Sequence, residues 1–229
     1  MNSYMDFTSP NVQYSYDLSQ NQFFKKDDQN YINALSIKQL NTLGNVSLLD
    51  IFLSKSNVVE PHTHQNASEL VYCISGAAIV SLINPFTKTL INIPIQPGQV
   101  ANVPQGWWHY EIATVDHTHL LAIFDAPVPE FIPGSDVLRL TPASILAHTY
   151  CLNEQSVQEA FAPIQETVVI GPPNTCKPSH RQPSNPDHYQ GQQNIYQQNN
   201  NYHAPTCPYH STNTEQRPQQ YIGNGWQHR

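Results

Sequence analysis

Short runs of β-branched and apolar residues recur at regular spacing through the middle of the chain, and turn signals such as Ser75-Gly76 and Pro97-Gly98 separate them. No helical pattern of comparable length interrupts these runs. Residues 33–133 are therefore predicted to form an all-β unit, an antiparallel sandwich or barrel. The seven predicted strands cover residues 46–53, 69–75, 77–83, 89–95, 99–103, 110–115 and 119–124.

The segment that follows the barrel, residues 134–170, has a different periodicity. It carries two helical patterns, and Asn153 is placed as the N-cap of the second. These patterns predict two short helices, at residues 143–150 and 154–161. Residues 167–170, Thr-Val-Val-Ile, predict a last short strand.

Both ends of the chain are polar. Residues 1–32 set a few aromatic side chains among polar ones and are predicted to be an N-terminal arm outside the barrel. Residues 171–229 hold ten Gln, eight Asn and eight Pro, and their only branched aliphatic residues are Ile195 and Ile222. Such a low-complexity segment buries too little apolar surface to offset its chain entropy, so the tail is predicted to be disordered.

Composition excludes several classes of partner. Only 12% of the residues are charged, against about 25% in an average domain, and 43 of 229 are Asn or Gln. A net charge of −7 leaves no basic surface for nucleic acid. The longest apolar runs, such as residues 120–124, are far shorter than the roughly 18 residues of a membrane span. The first residues lack a secretory signal, so synthesis in the cytoplasm is expected.

The strongest candidate for chemistry is a set of three histidines and one glutamate. His62 and His64 are two residues apart and point to the same face of a strand. Glu69 has the wrong parity to continue that strand, so residues 65–68 are predicted to form a turn or a bulge that lets it point inward. His109 completes the set from a later strand. Three imidazoles and one carboxylate suit a borderline divalent ion such as Mn²⁺, Fe²⁺, Ni²⁺ or Zn²⁺.

These residues stand in two longer patterns, His62-x-His64-x4-Glu69-x6-Gly76 and Gly98-x5-Pro104-x-Gly106-x2-His109. The patterns resemble the two motifs of the cupin superfamily, and residues 33–161 are similar to germin-like proteins and bacterial oxalate decarboxylases. The resemblance implies a jelly-roll barrel in which the four side chains hold manganese. It also implies a homo-oligomer (a dimer, trimer or hexamer) joined through the helices. The implied activity is oxidation or decarboxylation of a small organic substrate.

Some positions depart from the family pattern. Ala113 stands where the second cupin motif usually ends in Asn. Val59 and Leu49 stand at or near positions where oxalate-oxidising germins carry substrate-contacting Asn. These apolar residues make oxalate a poor substrate, because an uncompensated buried charge is heavily penalised. Glu111 shares a strand face with His109 and is a candidate catalytic acid or base. The alternative is that Glu111 lies further up the barrel and meets solvent.

Other histidines and cysteines are weaker candidates. A second His-x-His, at His117 and His119, is predicted to lie on a solvated turn. Cys73 alternates with Glu69 on the inward face and is predicted to be a buried, inert thiol. In the tail, His203-x3-Cys207-x2-His210 offers only three ligands for Zn²⁺ or Cu²⁺, on a segment that is predicted to be flexible, which is a weak signal.

Two functions from different classes remain open. The first is a metal-dependent cupin enzyme. The second is a non-catalytic assembly protein that uses the barrel as an oligomeric scaffold, as in a bacterial spore coat. The tail at residues 171–229 favours the second function, because its amides and Tyr suit self-association or binding to a protein partner.

Overall fold

A computed structural model describes residues 5–176. Most of the tail therefore lies outside the described residues, and so does the His203, Cys207 and His210 candidate. The predicted disorder of the tail stays a prediction. Within the described range, none of the helices is both long enough and apolar enough to cross a membrane.

Two antiparallel sheets pack face to face. One has the strand order β1-β2-β3-β10-β5-β8 and the other the order β11-β4-β9-β6-β7, with β12 added beside β4. The strands are β1 (Gln22–Lys25), β2 (Tyr31–Leu35), β3 (Ser47–Leu53), β4 (Val58–Thr63), β5 (Glu69–Ser75), β6 (Ala78–Asn84), β7 (Thr89–Ile95), β8 (Val100–Val103), β9 (His109–Ala113), β10 (Thr118–Phe124), β11 (Ile132–Pro133) and β12 (Ile170–Gly171). The α-helices are α1 (Gly134–Leu140), α2 (Ala143–Tyr150) and α3 (Glu154–Phe161), and a 3₁₀ turn covers Leu18–Gln20.

The core lies between the two sheets. It contains Val71 and Cys73 of β5 and Leu120 of β10 from one sheet, and Val80 of β6 from the other, and all four are fully buried. Burial of apolar faces from both sheets is the main stabilising term of such a sandwich. Cys73 is therefore a buried core thiol, as predicted, and burial raises the pKa of its sulfhydryl group.

The predicted all-β fold is confirmed. Each of the seven predicted strands is present within two residues of its predicted bounds, and helices α2 and α3 match their predicted ranges. Helix α1 was not predicted, since its N-terminus has no side-chain cap of its own. The last strand is shorter than predicted and shifted to β12. Val169 has a positive φ of 57°, which interrupts the extended run at residues 167–170.

The N-terminal arm needs a correction. The predicted boundary between residues 32 and 33 falls inside β2, and β1 and β2 extend the barrel sheet from its edge. Ile32 is fully buried in the core. The pattern was obscured because Asn33 occupies a buried position, where its side chain donates to Asp50 Oδ2 at 3.3 Å. A buried amide that has a hydrogen-bond partner interrupts the alternation of apolar residues in the sequence but does not destabilise the strand.

The second His-x-His also needs a correction. His117 lies in a turn with a positive φ of 56°. His119 lies in β10, where its Nε2 is 2.6 Å from Asp50 Oδ1 and its ring stacks on Phe52 with centroids 4.1 Å apart. The prediction of a solvated turn is therefore wrong for His119, whose ring packs on the outer face of the sheet.

Candidate metal centre

The four predicted ligands converge between the two sheets. His62 lies in β4, His64 follows the end of β4, Glu69 begins β5 and His109 begins β9. One ligand atom from each residue lies within 4.8 Å of the others. All four side chains are buried, with 5% or less of each residue exposed. Strands from both sheets thus bring together residues that are up to 47 positions apart in the sequence.

The predicted turn at residues 65–68 is present and is held in place by polar contacts. The Ser68 hydroxyl and backbone N–H donate to the two carboxylate oxygens of Asp125 at 2.6 and 2.8 Å. The Asn66 side chain donates to Val128 O at 3.0 Å. On the other side, Gly106, whose φ is 80°, donates its N–H to His64 O at 2.9 Å. These contacts fix the change of direction that lets Glu69 point inward.

Backbone carbonyl groups orient all three imidazoles. Nδ1 of His62 lies 2.6 Å from Glu60 O, Nδ1 of His109 lies 2.9 Å from Trp107 O, and Nδ1 of His64 lies 2.8 Å from Glu130 O. Because a carbonyl oxygen only accepts hydrogen bonds, each Nδ1 carries a proton. Each Nε2 therefore faces the centre with a lone pair that is free to bind a metal.

The centre fits a cation on electrostatic grounds. Nε2 of His62 and Nε2 of His64 are 3.1 Å apart, so two lone pairs face each other unless one ring takes a second proton. Burial, together with the positive charge of His109, lowers the pKa of His62 to about 3 and so disfavours that proton. An electron-pair acceptor between the rings removes the conflict. Three imidazole nitrogens and one carboxylate are a suitable donor set for a divalent ion.

Glu69 and His109 share a proton when no ion is bound. Nε2 of His109 lies 2.7 Å from Glu69 Oε2. Burial opposes ionisation of Glu69, but the hydrogen bond from His109 outweighs it and holds the pKa of Glu69 well below its usual range. Burial also opposes protonation of His109, but the Glu69 hydrogen bond and the charge of Glu111 raise the pKa of His109 to about 9. In the ion-free centre, the second proton of His109 therefore supplies the positive charge that a bound ion would otherwise supply.

Glu111 lies beside the four ligands and has no hydrogen-bond partner. Its Oε1 is 3.7 Å from Nε2 of His109, and only 1% of the residue is exposed. Among the described residues, neither of its carboxylate oxygens has a partner. Burial, with the negative charge of Glu69, raises the pKa of Glu111 to about 8. Strand alternation thus placed Glu111 on the correct face, and the alternative position in solvent is wrong.

A cavity of about 410 Å³ reaches the metal centre at His62 and His64. Val59 and Leu49, the two apolar departures from the family pattern, line it. Trp107 packs against the core instead, and the ring of Trp108 lies beside Gly134. Access to the centre is therefore from the side of β4.

A family model described as "Cupin" matches residues 25–158, more than half of the chain. The chain belongs to the cupin family. The two antiparallel sheets are accordingly a cupin jelly roll, and the four-ligand cluster lies inside it.

Relatives of this cupin include germin-like proteins. It is 33% identical over 142 residues to germin-like protein subfamily 2 member 1 of Arabidopsis thaliana, covering 58% of this chain and 62% of that protein. It is 29% identical over 145 residues to nectarin-1 of Nicotiana langsdorffii x Nicotiana sanderae, covering 58% and 61%. The alignment thus spans about three fifths of the length of these curated relatives.

A solved structure of oxalate decarboxylase from Bacillus subtilis shares the fold. The TM-score is 0.62 at 18% identity, and the match covers 77% of this cupin and 47% of that chain. At this level of identity the comparison supports the fold alone.

The four candidate ligands and Glu111 lie together, as the sequence predicts, but the groups that orient the ligands were not predicted. Glu60 and Trp107 each lie two residues before a candidate ligand histidine, and the carbonyl group of each contacts Nδ1 of that histidine. These two local contacts could have been predicted from the spacing. The carbonyl group of Glu130 is 66 residues from His64, and no local pattern indicates that contact.

Proposed function

We propose that this cupin is a metal-dependent enzyme, with manganese as the metal, that oxidises or decarboxylates a small organic substrate. In this proposal His62, His64, Glu69 and His109 hold the ion. Glu111 exchanges a proton with the substrate.

The observation that supports this proposal is the carboxylate of Glu111, which has no hydrogen-bond partner. A second buried glutamate in the chain, Glu60, provides a comparison. Glu60 is also a buried glutamate, but its carboxylate accepts hydrogen bonds from Ser135 N, Ser135 Oγ and Val169 N at 2.7, 3.0 and 2.8 Å. A structural carboxylate in a protein interior is satisfied in this way. Glu111 leaves both oxygens free beside the ligand cluster, which is costly for the fold and useful for chemistry.

Different residues of the chain have different roles in the proposed reaction. His62, His64, Glu69 and His109 would hold a divalent cation that would supply Lewis-acid chemistry and, if it were manganese, redox chemistry as well. The carbonyl oxygens behind His62, His64 and His109 keep the three Nε2 lone pairs aimed inward. Glu111 holds a proton at neutral pH in the ion-free centre, and a nearby cation moves its pKa downward, toward the range in which a carboxyl group both donates and accepts.

Metal reconstitution followed by turnover assays tests this proposal. The purified chain is loaded separately with Mn²⁺, Fe²⁺, Ni²⁺ and Zn²⁺ and screened against oxalate, superoxide and flavonoid-type diols. We expect Glu111→Gln to keep its metal and to lower turnover about 10²- to 10⁴-fold, the usual contribution of general acid–base catalysis. Glu159→Gln, at an exposed glutamate of α3, is the matched control. Full turnover by Glu111→Gln would contradict the proposed role, and loss of metal would make Glu111 a ligand instead.

A second candidate function is a non-catalytic assembly protein, made in the cytoplasm and incorporated into a layer such as a spore coat. The helical segment supports oligomerisation in either function, because Leu140, Ile145 and Leu152 are more than half exposed on a single chain. A dimer, trimer or hexamer covers such side chains. The composition of residues 171–229 supports a further role in binding other copies or a protein partner.

Deletion of residues 177–229 tests the assembly function. We expect the truncated chain to keep its metal content and oligomer size and to lose higher-order assembly, as measured by native mass spectrometry and light scattering. Identical scattering from the full-length and truncated chains would argue against an assembly role.

A further inference from the structure

The walls of the cavity beside the metal centre differ in polarity and charge from its inner end to its rim. Its inner end is formed by His62 and His64, which are buried, and Lys38, which is exposed, lies at its outer rim. Lys38 is the only lysine or arginine among the lining residues. Its apolar lining includes Phe23, Ile32, Leu49, Val59 and Phe131. Its uncharged polar lining consists of Asn21, Gln22, Ser36 and Gln39.

Two aromatic rings continue this apolar wall as far as the ligands. The ring centroids of Phe23 and Phe131 are 6.2 Å apart in an edge-to-face arrangement. The ring of Phe131 is in turn 6.3 Å from that of His62 and 6.4 Å from that of His64. Phe23 is 48% exposed, so it stands where the wall meets solvent. A molecule that enters past Phe23 therefore meets the rings of Phe23 and Phe131 on one wall before it reaches the imidazoles.

The same walls select against a compact dianion. The one polar group with a full charge that lines the inner half, the carboxylate of Glu60, already accepts three hydrogen bonds. Val59 and Leu49 offer no donor to a second carboxylate. A charge placed against them is buried without a partner, and such burial is heavily penalised. One anionic group at the metal end is compensated by the ion, and the remainder of the ligand gains by being apolar.

We propose that this cavity is the substrate site for hydrophobic monoanions, molecules with an aromatic or aliphatic body and one carboxylate or phenolate oxygen that meets the metal centre. The N-terminal hairpin β1–β2 determines this specificity through Phe23 and Ile32. The inference rests on the proposed function for the position of the anionic group.

Isothermal titration calorimetry on the full-length, metal-loaded protein tests the inference with two probes, 3-phenylpropanoate and oxalate. We expect one molecule of 3-phenylpropanoate per chain, bound at least about tenfold more tightly than oxalate, a ratio that corresponds to about 1.4 kcal/mol. Phe23→Ala is expected to weaken 3-phenylpropanoate binding at least about fivefold and Phe23→Leu to restore most of it. Phe86→Ala removes an exposed aromatic ring outside the cavity and serves as the matched control. Metal content and thermal stability are recorded for every variant.

Val59→Asn supplies the opposite perturbation. A side-chain amide in the inner wall gives a second carboxylate a donor, so we expect the preference for 3-phenylpropanoate over oxalate to fall at least about threefold. Unlike the loss of affinity in Phe23→Ala, this change in selectivity is not explained by partial unfolding.

Several results would overturn the inference. These are tighter binding of oxalate than of 3-phenylpropanoate, equal binding with and without metal, and loss of binding in Lys38→Gln, which would place the anionic group at the rim. Failure of the proposed function is distinguishable from these results. A metal-loaded protein that binds 3-phenylpropanoate selectively and turns over none of its candidate substrates contradicts the enzymatic proposal and supports the cavity.

Discussion

The carboxylate of Glu60 joins three separate parts of the chain, and its removal is expected to destabilise the fold substantially. It lies in β4 and accepts hydrogen bonds from the first turn of α1, through Ser135, and from Val169 beside β12. We call these three contacts the Glu60 clasp. The backbone amide of Glu60 also donates to Val169 O at 2.9 Å. Because Pro133 offers α1 no side-chain cap, the clasp supplies that cap from a distant strand.

The expected loss of stability in Glu60→Ala can be calculated from the backbone N–H groups that lose their hydrogen-bond acceptor. In Glu60→Ala the backbone N–H groups of Ser135 and Val169 lose their acceptor, and an unsatisfied buried donor costs about 1–3 kcal/mol. Water that enters the space offsets part of this cost, so we expect a loss of about 3 kcal/mol in the free energy of unfolding. For a chain of this size, a loss of 1 kcal/mol lowers the melting temperature by about 2–4 °C, which gives about 6–12 °C here.

Urea denaturation in the presence of a chelator measures this loss without a contribution from bound metal. Glu159→Ala, at an exposed glutamate of α3, is the control and is expected to change stability by less than about 0.5 kcal/mol. Hydrogen exchange adds a local measurement, because loss of the Glu60 clasp should expose the amides of α1 and β12 before those of β5 and β10. A loss of less than about 1 kcal/mol in Glu60→Ala would refute this account of how α1 is held.

Three further results are expected. His109→Ala should reduce bound divalent metal by at least about tenfold, measured by elemental analysis, since it removes one of four ligands. Without metal, the free energy of unfolding should fall as pH rises from about 6.5 to 9. The folded-state pKa values of His109 (about 9) and Glu111 (about 8) lie above their ordinary values, so the stabilisation from both protons is lost with rising pH. Gly76→Ala should cost about 2–3 kcal/mol in urea denaturation, since its φ is 76° and a Cβ would stand 2.6 Å from Thr118 Cα. Gly44→Ala is the control, with nothing within 4 Å.

The barrel strands and three of the four candidate ligands, His62, His64 and Glu69, were predictable because local spacing determines where they lie. Alternation of apolar residues marks a strand with one buried face, and Gly or Pro marks the turns between strands. The two-residue spacing of His62 and His64 fixes their common face in the same way. The parity change at Glu69 required a turn, and the structure contains one at residues 65–68. For each of these features the deciding signal lies within about ten residues.

The features that could not be predicted depend on contacts between distant residues. Helix α1 depends on Glu60, which is 75 positions from Ser135. Strand β2 was missed because Asn33 is buried against Asp50, a contact that makes a polar residue acceptable in the sheet only after both strands are paired. The orientation of His64 depends on the carbonyl group of Glu130 in the same way. Such partners are adjacent only in the folded chain, so no local pattern contains them.

The metal centre and the cavity beside it come from different parts of the chain. The four candidate ligands lie between positions 62 and 109, on or next to β4, β5 and β9. Much of the cavity wall comes from residues 21–39, at the edge of the sheet that also contains β5, and from residues 128–131. Substitutions at Phe23 or Phe131 therefore change the shape and polarity of the cavity without altering the four ligands. Metal affinity and substrate selectivity should respond to separate sets of mutations, and a variant of the hairpin that loses both would show that the two are coupled through the core.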